Sequence, residues 1–167
     1  MKKLLIIACA TLLLGGCCAQ QKDDQCEISN ENYSTIGLAN PFYEYDTLEE
    51  AFTGAGLSIN LPNQIDDYQI SIYRAIPDKL LEIIYVNNEA MLRVRKSMGA
   101  SDNSGNYTAE IYEEALLEHD DLKINIETKE DLIYVAHWVK DCESYSVTCD
   151  TGITSETLKS LIDIINK

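Results

Sequence analysis

Alternating apolar and polar positions over much of the chain predict β-strands. Residues 122–127 and 144–149 alternate with a period of two, which is typical of strands that bury one face. Residues 80–86 and 132–139 are apolar on both faces, as expected of central strands. Turn sequences such as Pro77-Asp78 and Asn87-Asn88 separate the apolar segments and favour hairpins. The predicted strands are 57–61, 68–76, 80–86, 90–95, 122–127, 132–139 and 144–149.

Helical signals occur at two places. Thr47-Leu48-Glu49-Glu50 has the sequence of a capping box, and Gly56 is placed to end the helix. Ile153 and Leu158 are spaced as a hydrophobic staple at the start of a C-terminal helix. The pattern as a whole predicts an α+β fold, with an antiparallel, meander-like sheet of about six to eight strands and a short N-terminal helix and a C-terminal helix packed on one face. It does not predict the order of the strands.

The beginning of the chain has the layout of a secretory signal. Lys2 and Lys3 precede an apolar run that ends at Leu14, and Gly15-Gly16-Cys17 follows. This layout resembles a bacterial lipoprotein signal, which predicts that Cys17 becomes the lipid-bearing first residue. The run is shorter than the ~20 residues that a transmembrane helix needs. An ordinary cleaved signal and a freely secreted protein are the alternative.

Three regions follow from this interpretation. Residues 1–16 are the signal peptide, residues 17–37 are the lipidated Cys17 and a flexible polar tether, and residues 38–167 are a single globular α+β domain. The predicted location is the outer face of the cytoplasmic membrane, where the protein is lipid-anchored and the membrane is a partner through Cys17.

The charge of the chain argues against one class of partner. Asp and Glu number 28 against 13 Lys and Arg, which gives a formal net charge of −15. Because phosphate binding needs basic patches, we do not expect a nucleic acid partner. The preferred interpretation of the negative charge is that it keeps the protein soluble. The alternative interpretations are that it binds a cation or a basic protein.

Cys9 leaves with the signal and Cys17 carries lipid, so the cysteines that remain are Cys18, Cys26, Cys142 and Cys149. An extracytoplasmic location permits disulfides; three pairings are open, and so are free thiols. If residues 142–149 are extended, their ends lie ~23 Å apart, too far for the ~4.4–6.8 Å between bridged Cα atoms. The absence of a C-x-x-C spacing disfavours a redox motif or a zinc ribbon.

A series of short motifs resembles one family in its order along the chain: Asn40-Pro41, Leu48-Glu49-Glu50-Ala51, Gly56-Leu57, Leu61-Pro62, Ile83-Ile84-Tyr85, the Arg93/Lys96 strand, Ser104-Gly105-Asn106-Tyr107, Trp138 and Tyr145-Ser146. Over residues 38–166 the chain resembles domain-of-unknown-function family 4367, which occurs in Gram-positive lipoproteins and at the extracytoplasmic end of some anti-sigma factors. The resemblance implies a sensing or binding domain, and it supplies no catalytic residue or cofactor. The chain departs from the family at residues 140–143, where the family favours a small Asp-Gly-Gly type of turn.

The candidate ligand-binding residues are Arg93, Arg95, Asp102, Tyr107 and Trp138. Two arginines on one exposed sheet face can hold a carboxylate or phosphate through paired hydrogen bonds. The alternative for them is cross-strand pairing with acidic neighbours such as Glu82. The polar loop of residues 101–106 suits recognition, and its glycine spacing does not fit an EF-hand calcium loop. Tyrosine and tryptophan are enriched at binding surfaces.

The two histidines of the chain are candidates for metal binding or catalysis. His119-Asp120-Asp121 offers metal-ligating side chains, but an exposed acidic turn is the preferred interpretation. His137 lies in an apolar strand and is interpreted as a hydrogen-bonded, partly buried side chain rather than a catalytic base. We therefore predict no catalytic residues, no metal ligands and no cofactor.

The resulting functional hypothesis is a membrane-anchored extracytoplasmic lipoprotein that acts as a binding or sensing module for an unknown protein or cell-envelope ligand. An envelope hydrolase or metal-dependent enzyme that uses His137 or the carboxylates is one alternative. A purely structural envelope lipoprotein is the other.

Overall fold

Strands dominate the structure, a computed structural model that describes residues 40–106, 110 and 112–167. Within these residues the chain forms nine strands and two helices. In chain order they are β1 (Tyr43–Tyr45), α1 (Leu48–Ala55), β2 (Gln64–Ile65), β3 (Tyr68–Ile76), β4 (Leu80–Asn87), β5 (Ala90–Met98), β6 (Glu113–His119), β7 (Leu122–Lys129), β8 (Leu132–Lys140), β9 (Glu143–Ile153) and α2 (Ser155–Ile165). The predicted α+β class, with one helix near each end of the domain, is confirmed.

The strands belong to one antiparallel sheet in the order β1-β3-β4-β5-β9-β8-β7-β6, and the short β2 pairs with β3. β3 to β5 and β6 to β9 are each joined by hairpins. β5 pairs with β9 and not with β6, so the chain crosses to the far edge after β5 and returns strand by strand. Among the described residues the sheet has nine strands, more than predicted, because β1 and β2 are only three and two residues long.

Two segments differ from the prediction. Residues 57–61 form no strand; Leu57 and Ile59 are buried as irregular chain, and the Ser58 carbonyl accepts a hydrogen bond from Lys96 Nζ at 2.9 Å. The sequence pattern also fails to predict β6, because this edge strand is mostly exposed and its glutamates obscure the alternation.

One face of the sheet packs against the helices, and we call it the helical face. Ile83, Val94 and Val147 are neighbours across β4, β5 and β9, and each is at most 2% exposed. Trp138 of β8 is 1% exposed and stacks on Tyr145, with ring centroids 5.4 Å apart. The helical residues in the same core cluster are Ala51, Ala55, Leu158, Leu161, Ile162 and Ile165.

The helix ends follow the local signals. Thr47 Oγ1 accepts a hydrogen bond from the Glu50 amide at 3.2 Å, and Gly56 ends α1 with φ +65°. Thr154 caps α2 and accepts from the Thr157 amide at 3.1 Å. A cap of this kind stabilises a helix by about 1 kcal/mol, so both boundaries are set by sequence.

The turns place non-glycine residues in the left-handed region. The described residues of this kind are Asp66, Asp78, Asn88, Asp120, Glu130, Asp131, Asp141 and Cys142. In the β7–β8 and β8–β9 turns both central residues have positive φ, as in type I′ turns, whose twist matches that of the strands. The β8–β9 turn therefore has a hairpin geometry although it contains no glycine.

The two described cysteines differ in state. Cys142 is disulfide-bonded, whereas Cys149 is a free thiol that is 4% exposed. They are therefore not bonded to each other, as their spacing predicts. The Cys149 thiol donates to the Tyr68 hydroxyl at 3.4 Å. Burial, aided by this hydrogen bond, raises the pKa of Tyr68 to about 12.

The predicted signal peptide and the lipidated Cys17 with its tether lie outside the described residues. Neither of the two helices in the described part of the chain has the length and apolar character needed to cross a bilayer.

Candidate functional site

The face of the sheet opposite the helices is polar, and we call it the open face. One row of neighbours crosses it from β3 to β7 and consists of Arg74, Glu82, Arg95, Ser146, His137 and Asn125. These residues alternate with the buried apolar residues of the same strands, because successive side chains of a strand point to opposite faces.

Glu82 is the charged centre of this row. It is fully buried, and its two carboxylate oxygens accept hydrogen bonds from Arg74 Nε and Arg95 Nε. A buried carboxylate needs compensation of this kind, because an unpaired charge inside a protein is costly. The Arg74 guanidinium also stacks over the Phe42 ring at 4.4 Å. Glu82 thus fixes both arginines in place.

Residues 99–106 lie across the open face and are held there by side chains of the sheet. Arg95 Nη1 donates to the carbonyls of Asn103 at 3.1 Å and Ser104 at 2.5 Å. Asn106 Nδ2 donates to Glu127 Oε2 at 2.9 Å. Glycine is favoured at position 105, because its φ is +62° and an added Cβ would displace the Arg95 guanidinium.

On one side of this loop lies a groove that we call the Arg93 groove, with a volume of about 430 Å³. Arg93 Nη1 donates to Asp150 Oδ1 at 3.1 Å, and their side chains remain 23% and 40% exposed. Tyr112 and Tyr134 stack with centroids 5.1 Å apart. The groove is also lined by Thr148, Ser104 and Gly105. It therefore combines a guanidinium, a carboxylate, hydroxyls and aromatic surface.

On the other side of the loop lies a second groove, the acidic groove, with a volume of about 540 Å³. Asp102, Glu114, Glu127 and His137 line it together with apolar residues. Glu114 and Glu127 are direct cross-strand partners. Like charges that face each other across a sheet are destabilising, so this groove disfavours an anionic ligand.

His137 donates its hydrogen bond to a serine, whereas a base that activates a serine for nucleophilic catalysis must accept a hydrogen bond from it. Its Nε2 lies 2.8 Å from Ser144 Oγ, and that hydroxyl donates to the Ser101 carbonyl at 2.7 Å. A hydroxyl has a single hydrogen to donate, so Nε2 must be the donor to Ser144. Ser144 is also fully buried. The prediction that His137 is partly buried and hydrogen-bonded is confirmed.

A second group of charges lies on the helical face at the start of β9. Lys96 Nζ lies 2.8 Å from Glu143 Oε2 and 5.3 Å from the centre of the Tyr145 ring. Burial raises the pKa of Glu143, but its hydrogen bonds with Lys96 and Tyr145 outweigh that effect and leave the pKa below its ordinary value. Burial and the bond to Glu143 raise the pKa of Tyr145.

Three of the candidate ligand-binding residues come together on the open face. Arg93 and Arg95 line the Arg93 groove, and Asp102 lines the acidic groove, where its carboxylate accepts from the Ser104 amide at 2.8 Å. Both arginines have acidic partners, as the alternative interpretation predicted. Trp138 does not join them, because it is buried on the helical face. Tyr107 lies outside the described residues.

Ser104 and Gly105 of this groove belong to the loop that the sequence predicts to suit recognition, whereas Asp150 and Tyr134 are not among the predicted candidates. Asp150 pairs with Arg93 across two neighbouring strands, and Tyr134 lies within a shift in register between Ile133 and Val135. The alternation of apolar and polar residues along a strand does not reveal where a β-bulge occurs. The abundance of tyrosine in the strands was the only available signal for Tyr134.

Comparison of the chain with known protein families, with curated proteins and with solved structures finds no match in any of the three.

Proposed function

We propose that this protein is a lipid-anchored extracytoplasmic binding module and that the Arg93 groove is its ligand site. The observation that carries the proposal is the Arg93–Asp150 pair, exposed beside the stacked rings of Tyr112 and Tyr134 in a groove of about 430 Å³. Grooves of this size with a few convergent polar groups are typical of small-ligand sites. The expected ligand carries a carboxylate or hydroxyl groups on a partly apolar frame.

The chemistry of the open face favours binding over catalysis. A hydrolase would need a base aimed at a nucleophile or a water, and His137 instead donates to a buried serine. The guanidinium of Arg93 supplies fixed hydrogen-bond donors without any change of protonation, which suits recognition. A purely structural lipoprotein would have no use for a groove of this composition.

The lipid anchor rests on the sequence alone. The run that ends in Gly15-Gly16-Cys17 has the layout of a lipoprotein signal, and the motifs that resemble family 4367 point to the same compartment. The anchor is tested separately from the groove. We expect the wild type and Cys18→Ser to incorporate labelled fatty acid in cells and Cys17→Ser to lose the label. Equal labelling of both variants would contradict lipid attachment at Cys17.

The ligand site is tested by a thermal-shift screen of the full chain in detergent micelles. Trp138, the single tryptophan, is buried in the core, so its intrinsic fluorescence reports unfolding. The panel contains small carboxylates, phosphate, cell-wall fragments and peptides. A ligand at a hundredfold excess over its dissociation constant stabilises the native state by about 2.7 kcal/mol.

Two variants show whether a ligand that raises the unfolding temperature binds in the Arg93 groove. Arg93→Gln removes the guanidinium from the groove, whereas Lys123→Gln removes an equal charge from an exposed position of β7. We expect a ligand to stabilise the wild type and Lys123→Gln but not Arg93→Gln. Equal shifts in all three proteins would place the binding elsewhere, and no shift with any compound would contradict a small-ligand site.

A further inference from the structure

The β6–β7 turn meets helix α2 at a place that the Arg93 groove does not involve. His119 ends β6, and Asp120 follows it in the turn with φ +50°. Asp163 lies near the end of α2, where its neighbours Leu161 and Ile162 are buried against the core. Forty-four positions separate His119 from Asp163 in sequence. Packing of the helix on the sheet therefore brings together three side chains that can ligate a metal ion.

The donor atoms of these three residues are close enough for one ion. His119 Nε2 lies 2.7 Å from Asp163 Oδ1, and one donor atom from each of His119, Asp120 and Asp163 lies within 4.8 Å of the other two. Metal–ligand bonds of ~2.0–2.2 Å place two ligands of one ion up to ~4 Å apart. Small side-chain rotations bring the present arrangement into that range.

The composition of the set indicates the class of ion. One imidazole nitrogen with two carboxylates suits first-row divalent ions such as Zn²⁺ and Mn²⁺, whereas Ca²⁺ and Mg²⁺ prefer oxygen ligands alone. With a neutral imidazole, the two carboxylates carry an uncompensated charge that a divalent cation would neutralise. The formal net charge of −15 attracts cations to the whole surface.

We infer that His119, Asp120 and Asp163 form a binding site for a first-row divalent metal ion of the Zn²⁺ type. The bound ion connects the turn at the sheet edge to α2 and holds the helix on the helical face. Three protein ligands leave coordination positions for water, as in open metal sites. The sequence His119-Asp120-Asp121 predicts an exposed acidic turn, and Asp120 and Asp121 are exposed in the structure. The third ligand, Asp163, comes from α2 and not from this turn.

The site is tested with Zn²⁺ and Co²⁺ on the full chain in detergent micelles after treatment with a chelator. We expect Zn²⁺ to raise the unfolding temperature, read from Trp138 fluorescence, and calorimetry to give one ion per chain. Co²⁺ should give visible absorption bands that report nitrogen and oxygen ligands. A chelator should reverse both effects.

Three variants separate the proposed site from general attraction of cations. His119→Gln and Asp163→Asn each remove one ligand and should weaken Zn²⁺ binding by at least about tenfold. Asp121→Asn removes the same charge from the same turn outside the set and should leave the affinity unchanged. Asp163→Asn is an exposed, isosteric change, so it keeps the test valid even if His119→Gln lowers stability.

Two results would overturn the inference. The first is the absence of Zn²⁺ binding to the wild type at millimolar concentration. The second is an equal loss of affinity in Asp121→Asn and Asp163→Asn, which would show attraction to an acidic surface without a defined site. The outcome is independent of the Arg93 groove, because no residue of that groove takes part.

Discussion

The two faces of the sheet are formed by the same strands, but one is stabilised by apolar packing and the other by polar interactions. On the helical face, Ile83, Val94 and Val147 pack together and are nearly free of solvent. One position along, Glu82, Arg95 and Ser146 form the row of the open face. Apolar packing, which has no preferred direction, stabilises the helical face. The stability of the open face depends on hydrogen bonds and ion pairs between specific partners.

This difference explains how polar residues at the centre of the open face can be buried. Glu82 and Ser144 are fully buried, because Arg74, Arg95 and residues 99–106 cover them. A buried polar surface remains stable only while its hydrogen bonds are satisfied. We therefore expect the two faces to respond differently to mutation, and the following predictions run from the largest effect to the smallest.

The first prediction compares two adjacent residues of β8 that point to opposite faces. Trp138→Ala should destabilise the protein by roughly 3–5 kcal/mol, because it leaves a large cavity against Tyr145. Val139→Ala should cost less than about 1 kcal/mol, since Val139 is 37% exposed. Urea unfolding followed by circular dichroism measures both. Similar losses at the two positions would mean that the faces are equally packed.

The second prediction tests the charged row of the open face. Glu82→Gln keeps the shape of the side chain but leaves Arg74 and Arg95 without their counter-charge. We expect a loss of about 2–3 kcal/mol, less than for a fully enclosed pair because the two arginine side chains are 21% and 13% exposed. Hydrogen exchange of the amides of residues 103–106 should also become faster, because Arg95 holds that loop.

Glu118→Gln is the control for this change, since it removes the same charge from an exposed position of β6. Its stability should stay within about 0.5 kcal/mol of the wild type. If Glu82→Gln is equally harmless, the buried carboxylate does not organise the open face.

The third and smallest effect concerns pH on the helical face. The pKa of Glu143 is lowered in the folded protein, so its ionised form stabilises the native state above its ordinary pKa. This contribution is lost as the pH falls from the ordinary value through the lowered one. The free energy of unfolding of Glu143→Gln should therefore fall less steeply below about pH 4.5 than that of the wild type. Parallel curves for the two proteins would contradict the role of Lys96 and Tyr145.

Local signals in the sequence predicted the local structure well. The Thr47 hydroxyl caps α1 as expected, and Gly56 ends the helix in the left-handed conformation. The strand predicted over 68–76 has those bounds in the structure. Each of these features depends on residues close together in sequence, so a short window contains the information.

Features that depend on distant pairing were not predictable in this way. The pairing of β5 with β9 sets which residues meet on the open face, and no local pattern encodes it. The residue type of Trp138 predicts ligand binding, but the strand places Trp138 on the helical face. The contact between His119 and Asp163 likewise depends on where α2 packs.

The hairpin turns offer another explanation for the acidity of this chain. Six of the eight non-glycine residues with positive φ in the described part are Asp or Glu. Asp is favoured there because its short side chain tolerates the left-handed conformation, and Asn would serve the backbone equally well. Apart from Asp120, which belongs to the proposed metal site, the charge of these turn residues is thus a by-product of how the chain reverses direction. Asp→Asn replacements at the other turns would make the protein less negative while preserving its backbone conformation.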